Sequence, residues 1–263
     1  MYKGQTALIM GASSGIGAAF AGELARKGMN LIVVARSGDK LQRLAEDLSA
    51  RHGVQVDVII ADLSDEQTAL GVYDEVKRRR LQVDLLVNNA GVASYGFFDK
   101  LSLKKQEDEI RLNVLTVVSL THHFLQDMLE RRRGAVINVA SASGFQPTPF
   151  MAVYGATKAF MISWSEALWA ETKDKGVSVV ALCPGRTATN IQEVMGVGAV
   201  GPGKDVSPEQ VVRTGLRALE KGKMTVVDGR GNYWTAQIAR IFPRKFVVGI
   251  AYRIFRKNSS GAA

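Results

Sequence analysis

Tyr154 and Lys158 stand four residues apart in the segment MAVYGATKAF. On a helix that spacing puts both side chains on one face. A phenol with its ordinary pKa of about 10 is a weak base at neutral pH. A neighbouring ammonium favours the phenolate and lowers that value. The pair can therefore act as a general acid or, in the opposite direction, as a general base. Ser141 closes the apolar run VINVAS and offers a hydroxyl that can support charge developing on an oxygen. Ser143 offers a second, two residues on. Asn113, in RLNVLTVV, is followed by apolar residues that argue for burial, where an asparagine needs partners.

Near the start, MGASSGIG places glycines at 11, 15 and 17. Glycine weakens regular structure by about 0.5–1 kcal/mol relative to alanine, so the cluster needs a reason. It follows an apolar run and opens a helical pattern, the setting in which a glycine-rich turn receives a dinucleotide. Gly11 permits a tight turn, Gly15 lets the backbone approach a pyrophosphate at the helix N-terminus, and Gly17 lets helix and strand pack closely. The spacing is G-x-x-x-G-x-G rather than G-x-G-x-x-G, so alone it is a moderate signal.

The elements that must hold these groups alternate. Buried-strand patterns at 6–11, 30–36, 54–65, 83–91, 134–141, 177–185 and 224–229 are separated by helical patterns. The helices are expected after Gly15, over 39–53, between 65 and 83, around 102–130, over 151–174 and over 208–221. This predicts an α/β fold, a doubly wound parallel sheet in three α/β/α layers, as a single domain. Its catalytic domain is expected over 1–229 and a basic amphipathic extension, packed on the same domain, over 230–263. The stretch MGVGAVGPG (195–203) follows a strand end, where ligands bind in open α/β sheets, and its glycines suit a loop that closes over substrate.

With 263 residues, 46% hydrophobic and 22% charged, the chain reads as a globular protein able to bury a core. The opening MYKGQTALIM is too short an apolar run for a signal peptide or a membrane span, which gives a cytoplasmic expectation. One cysteine, Cys183, excludes an internal disulfide or a cysteine-based metal cluster, and it reads as a small buried hydrophobe. His122 and His123 point about 100° apart on a helix, so they do not share a metal, and no metal site is expected. The net charge of +9 raises nucleic acid as a partner, but RRR at 78–80 and at 131–133 each fall where a helix should end, where cations favour the helix dipole. No nucleic-acid motif accompanies them.

GASSGIG, NNAG (88–91), YGATK (154–158) and PGRTAT (184–189) stand in the order of the short-chain dehydrogenase/reductase family, which the chain resembles over roughly 4–229. Met10 departs from it, standing where the family usually has threonine. The resemblance implies a nicotinamide cofactor held by Gly11, Ser13, Ser14, Gly15, Ile16 and Gly17, by Asn89, Ala90 and Gly91 beside the adenine ribose, and by Asp62 and Leu63 at the adenine. Asp62 reads equally as an N-cap for the helix after 64, a role Ser64 can also fill. Pro184, Gly185, Thr187 and Thr189 resemble the segment that holds the nicotinamide carboxamide. Tyr154 and Lys158 also touch the cofactor in this family. Ser141 is preferred over Ser143 because it lies thirteen residues before Tyr154, and Asn113 resembles a fourth member that holds a relay water beside Lys158. At the end of the second strand an acidic residue would bind the ribose 2′-hydroxyl; here Ala35 and then Arg36 stand there. Arginine matches a 2′-phosphate, so NADP(H) is expected in preference to NAD(H).

The expected reaction interconverts a carbonyl and a secondary alcohol of a lipophilic, ketoacyl- or steroid-like small molecule. A catalytically silent NADP(H)-sensing protein on the same fold is the rival, disfavoured because tyrosine and lysine are both kept. Beyond 229, residues 240–257 carry six basic and no acidic residues between apolar ones, with Pro243 dividing two helices. Such a segment can roof the site, pack on a partner subunit or lie on an anionic membrane. A homodimer or homotetramer is expected through the long helices, with Phe160, Trp164 and Leu168 as interface or core residues.

Overall fold

Ala7 and Ile9 point to one side of the first strand, Leu8 and Met10 to the other, and all four are fully buried. A strand dry on both faces needs helices on both sides. In the computed structural model, which describes residues 2–191, 195 and 204–256, that is the arrangement. Seven parallel strands, β1 (Thr6–Met10), β2 (Asn30–Ala35), β3 (Val56–Ile60), β4 (Leu85–Asn88), β5 (Gly134–Val139), β6 (Val177–Cys183) and β7 (Thr225–Val227), lie in the order β3-β2-β1-β4-β5-β6-β7. In register, Ile9 lies beside Val33 of β2 and Val87 of β4. The strand order reverses between β1 and β4, where a crevice opens at the strands' C-terminal ends.

Helices α1 (Gly15–Arg26), α2 (Gly38–His52) and α7 (Pro208–Glu220) cover one face, burying Leu24, Leu41 and Leu216 against Ile9 and Val33. Helices α3 (Glu66–Arg78), α5 (Thr116–Glu130) and α6 (Ala152–Thr172) cover the other, burying Val76, Phe124 and Met161 against Leu8 and Leu86. Full burial of such side chains stabilises by about 1.5–3 kcal/mol each. The three-layer, doubly wound expectation is met. Trp164 and Leu168 pack against this second core, while Phe160 is partly exposed and stacks on Trp164.

Several boundaries differ from the expected ones. The rod expected around 102–130 is α4 (Leu103–Ile110), a π-turn (Arg111–Leu115) and α5. The wider turn shifts the helical phase midway, at Asn113. Helix α6 ends at Thr172, and the expected helical end at 173–174 falls in a tighter 3-10 turn, Lys173–Lys175. The N-cap of α3 is neither Asp62 nor Ser64 but Asp65, whose carboxylate accepts from the Thr68 N–H at 2.8 Å. Pro243 divides α8 (Arg230–Ile241) from α9 (Arg244–Arg256), as expected. Apart from Met195, the stretch 195–203 lies outside the described residues. Among the described residues no helix is long and apolar enough to cross a membrane.

Candidate active site

The glycine turn closes onto the β4 exit. Gly11 has φ +73°, and a Cβ there would lie 2.9 Å from the Ala90 Cα. At Gly17 a Cβ would fall 2.1 Å from the Gly11 carbonyl oxygen and 2.6 Å from Asn89 Nδ2. Asn89 Nδ2 in turn donates to the Met10 and Gly11 carbonyls at 3.1 and 3.2 Å. The side chain of Met10 is fully buried among apolar residues, so its departure from the family pattern leaves this lock intact. Gly15 has φ +55°, and a Cβ there would meet the Thr189 side chain at 3.0 Å. Turn and 184–189 segment thus approach each other across a gap that only glycine keeps open. Ser14 caps α1 without a side-chain hydrogen bond and the first turn carries no acid, so its N–H groups and positive end stay available to an anion. These features fit a dinucleotide pyrophosphate.

Arg36, just past β2, is exposed, and its charge helps hold the Asp62 carboxyl below the usual range, though the larger cause is the Ser64 hydroxyl hydrogen bond at 2.6 Å. Leu63 is buried, and its carbonyl accepts from the Thr116 hydroxyl at 2.7 Å. Ser13 and Ile16 are half-buried in the turn. Beyond β6, the Pro184 carbonyl accepts from the Ala142 N–H at 2.8 Å, and the Thr187 hydroxyl donates to the Gly185 carbonyl at 3.1 Å.

The reacting groups gather at the end of β5. Lys158, 5% exposed, donates to the Val139 carbonyl at 2.9 Å and lies 5.7 Å from the centre of the Tyr154 ring. Burial pushes its ammonium down to about 8, against the opposing charges of Cys183 and Glu109. Burial pushes the Tyr154 phenol up to about 12, hydrogen bonding with Ser141 pulls it back, and the Glu109 charge raises it further. The expected lowering of the tyrosine by lysine is therefore corrected: removing the phenolate from water raises it, and the group that lowers it is Ser141. Cys183 is fully buried, and burial holds its thiol high.

Ser141 caps a 3-10 turn (Ala142–Phe145), and its oxygen accepts from the Ser143 hydroxyl at 2.8 Å and the Ser143 N–H at 3.2 Å. Ser141 and Ser143 are thus in direct hydrogen-bond contact. Asn113 donates to the Val92 carbonyl at 2.9 Å and the Thr157 hydroxyl at 3.2 Å and accepts from the Val92 N–H at 3.0 Å. Its amide fastens the β4 exit to α6. Gly91 lies over the same spot, its Cβ position 3.1 Å from Asn113 Oδ1 and 3.6 Å from Lys158 Nζ.

Beside Tyr154 opens a cavity of about 190 Å³ lined by Phe97, Leu101, Phe150, Val153 and Tyr252, among others. Its far wall comes from α9: Ala251 and Phe255 pack with Ala93, Tyr95, Phe150 and Met151, and the Tyr95 hydroxyl donates to the Phe255 carbonyl. Phe150 has φ +66°, a strained conformation for an aromatic residue of a kind that gathers at ligand sites. Glu109, fully buried, also lines the cavity and escaped the sequence reading. It stands four residues before Asn113, across the start of the π-turn, in a stretch whose charges gave no sign of burial.

The sequence profile of the short chain dehydrogenase family matches residues 5–196. The very-long-chain 3-oxoacyl-CoA reductase of Anas platyrhynchos is 37% identical over 197 residues, covering 73% of this chain and 62% of that protein. The inactive hydroxysteroid dehydrogenase-like protein 1 of Homo sapiens is 37% identical over 191 residues, covering 72% and 57%. This chain thus spans about six tenths of the length of these relatives. Among solved structures, a short-chain dehydrogenase from Sphingobium yanoikuyae in complex with NADPH superposes with a TM-score of 0.83 at 30% identity, covering 93% of this chain and 95% of that one.

Proposed function

Since the chain belongs to the short-chain dehydrogenase family, whose members are oxidoreductases acting on CH–OH groups through a nicotinamide cofactor, we propose that it is an NADPH-dependent reductase of a lipophilic carbonyl compound. Bound NADPH would supply the hydride that reaches the carbonyl carbon. Gly11, Ser13, Ser14, Gly15, Ile16 and Gly17 would cradle the pyrophosphate, Asp62, Leu63, Asn89, Ala90 and Gly91 the adenosine, and Pro184, Gly185, Thr187 and Thr189 the carboxamide. Arg36 would meet a 2′-phosphate. Ser141, fixed by Ser143, orients the carbonyl oxygen; Tyr154 delivers the proton to it; Lys158 holds the ribose and tunes the phenol. Asn113 positions the β4 exit against α6 and would hold a water that relays protons between Lys158 and solvent.

The observation that supports this reading most is the half-buried phenol of Tyr154, set beside Ser141 and Lys158 at the edge of an apolar cavity and pushed up to about 12 by desolvation. Such a phenol keeps its proton through neutral pH, the form needed to protonate an alkoxide. The name of the Anas platyrhynchos relative supports a lipophilic substrate, and the human relative named inactive keeps the sensor rival in view. The test is NADPH and NADH consumption against carbonyls from short diketones to β-ketoacyl thioesters and ketosteroids, with Tyr154→Phe beside wild type. Consumption of NADPH abolished by Tyr154→Phe supports the reading. NADPH binding with no turnover on any substrate favours the sensor.

For the segment after 229, one face of α9 walls the cavity while Phe246, Ile250 and Ile254 stay exposed near Arg244, Lys245 and Arg253. That composition supports contact with an anionic membrane in addition to roofing, and flotation with anionic liposomes, with and without residues 240–263, tests it. A homodimer or homotetramer remains part of the proposal.

A further inference from the structure

Glu109 is fully buried, and neither carboxylate oxygen makes a well-formed hydrogen bond within the protein. Gln106, one turn earlier and 4% exposed, has an equally unpartnered Oε1, while its Nε2 reaches the Phe98 and Leu101 carbonyls only at 3.4 and 3.5 Å. Both side chains line the cavity that holds Tyr154, and the rest of its wall is largely aromatic and aliphatic. Buried acceptors without donors are rare, because each forfeits its hydration without recompense. Here three such oxygens, two from Glu109 and one from Gln106, belong to residues that line one cavity, and Ser94, also in its wall, is the one group whose hydrogen bonding acts on Glu109.

We propose that Glu109 and Gln106 form a specificity site for a hydrogen-bond donor on the substrate, a hydroxyl or an ammonium carried at a distance from the carbonyl that Tyr154 serves. The inference rests on the reductase reading of the same cavity. The volume, about 190 Å³, accepts a ring-sized group, since an engineered apolar cavity of about 150 Å³ takes up benzene. A ring ketone bearing a donor would set its apolar body against Phe97, Phe150 and Val153 and its donor against Glu109. Burial raises the Glu109 carboxyl to about 7, held back by Ser94 and by the Lys158 charge. The site therefore samples both protonation states near neutrality: ionised, it takes an ammonium or a hydroxyl; protonated, its carbonyl oxygen still accepts.

The experiment compares wild type, Glu109→Leu and Glu109→Gln on cyclohexanone, 3- and 4-hydroxycyclohexanone and 4-aminocyclohexanone, by NADPH-dependent turnover and by calorimetric binding to NADPH-loaded protein. Thermal midpoints at pH 8 are measured alongside. Wild type is expected to favour a donor-bearing ketone about ten- to a hundredfold in kcat/KM or in affinity. Glu109→Leu should erase that preference and raise the thermal midpoint, because burial penalises the charged carboxylate more than Ser94 and the Lys158 charge offset. Glu109→Gln should keep the hydroxyl preference and lose the ammonium one; preference for the amine in wild type alone identifies a cation as the ligand, and for the alcohols a hydroxyl. A lowered midpoint in both variants would assign Glu109 a structural role and overturn the proposal, as would equal treatment of all ketones by wild type. Absence of turnover with any ketone sinks the reductase reading instead, and the binding preference then still decides the role of Glu109.

Discussion

The Lys158 ammonium sits 5.7 Å from the centre of the Tyr154 ring while donating to the Val139 carbonyl at 2.9 Å. The β5 strand end therefore fixes the cation, and α6 fixes the phenol one turn before it. Since Tyr154 holds its proton until about 12 and Lys158 loses its own near 8, lysine is the group that titrates first as pH rises. The kcat/KM for NADPH, which reports the free enzyme, is expected to stay level below pH 7 and to fall above about 8. Lys158→Arg should move that fall to higher pH in whatever activity remains. A fall unchanged in that variant would clear Lys158 of responsibility.

The Ser141 oxygen accepts from the Ser143 N–H at 3.2 Å and lies 2.8 Å from the Ser143 hydroxyl oxygen. Ser141→Ala should thus lower kcat by about a hundred- to a thousandfold, as for the loss of one oxyanion donor. Ser143→Ala removes only its orienting partner and should cost about tenfold or less by the same comparison. Steady-state kinetics of the two variants decide between them, and equal losses would mean both hydroxyls touch the substrate oxygen.

Arg36 is exposed and within electrostatic reach of Asp62, and on the proposed reading it meets the 2′-phosphate. Arg36→Ala is expected to raise KM for NADPH about ten- to a hundredfold, the usual loss of a hydrogen bond to a charged group, while leaving KM for NADH nearly unchanged. Parallel changes with both cofactors would argue for a general effect on the turn.

Glu109 also makes stability depend on pH. Its carboxyl rises from 4.5 unfolded to about 7 folded, so the folded state binds the proton more tightly. Its contribution is fully present below pH 4.5 and is lost as pH rises through about 7. At 1.36 kcal/mol per pH unit the loss amounts to at most roughly 3 kcal/mol. Denaturant midpoints of wild type and Glu109→Gln should nearly coincide at pH 4.5 and separate in favour of the variant by pH 8. A constant gap across that range would show that the carboxyl does not titrate there.

Much of this architecture is legible in the sequence, because strands buried on both faces and glycines at helix starts leave strong local patterns. Ser141, Tyr154 and Lys158 come together because their elements do. Other features depend on tertiary context. The π-turn at Asn113 arises where the asparagine reaches Val92 and Thr157, partners distant in sequence. Glu109 lies in LKKQEDEI, which reads as a solvated acidic-basic stretch; only the packing of α4 against the cavity turns one of its carboxylates inward. The high pKa of Tyr154 is likewise a property of burial, which a spacing of four residues does not reveal.

The wall that α9 gives the cavity follows every strand in chain order. During synthesis the glycine turn, Asn89 and the Tyr154–Lys158 helix all leave the ribosome before Tyr252 and Phe255 exist. The nucleotide half can therefore assemble first, and the substrate half matures only when the last helix docks through the Tyr95–Phe255 contact. On the proposed reading, a chain clipped before α9 keeps the glycine turn but loses the Tyr252 wall, so cofactor retention would be a poor proxy for a finished substrate site.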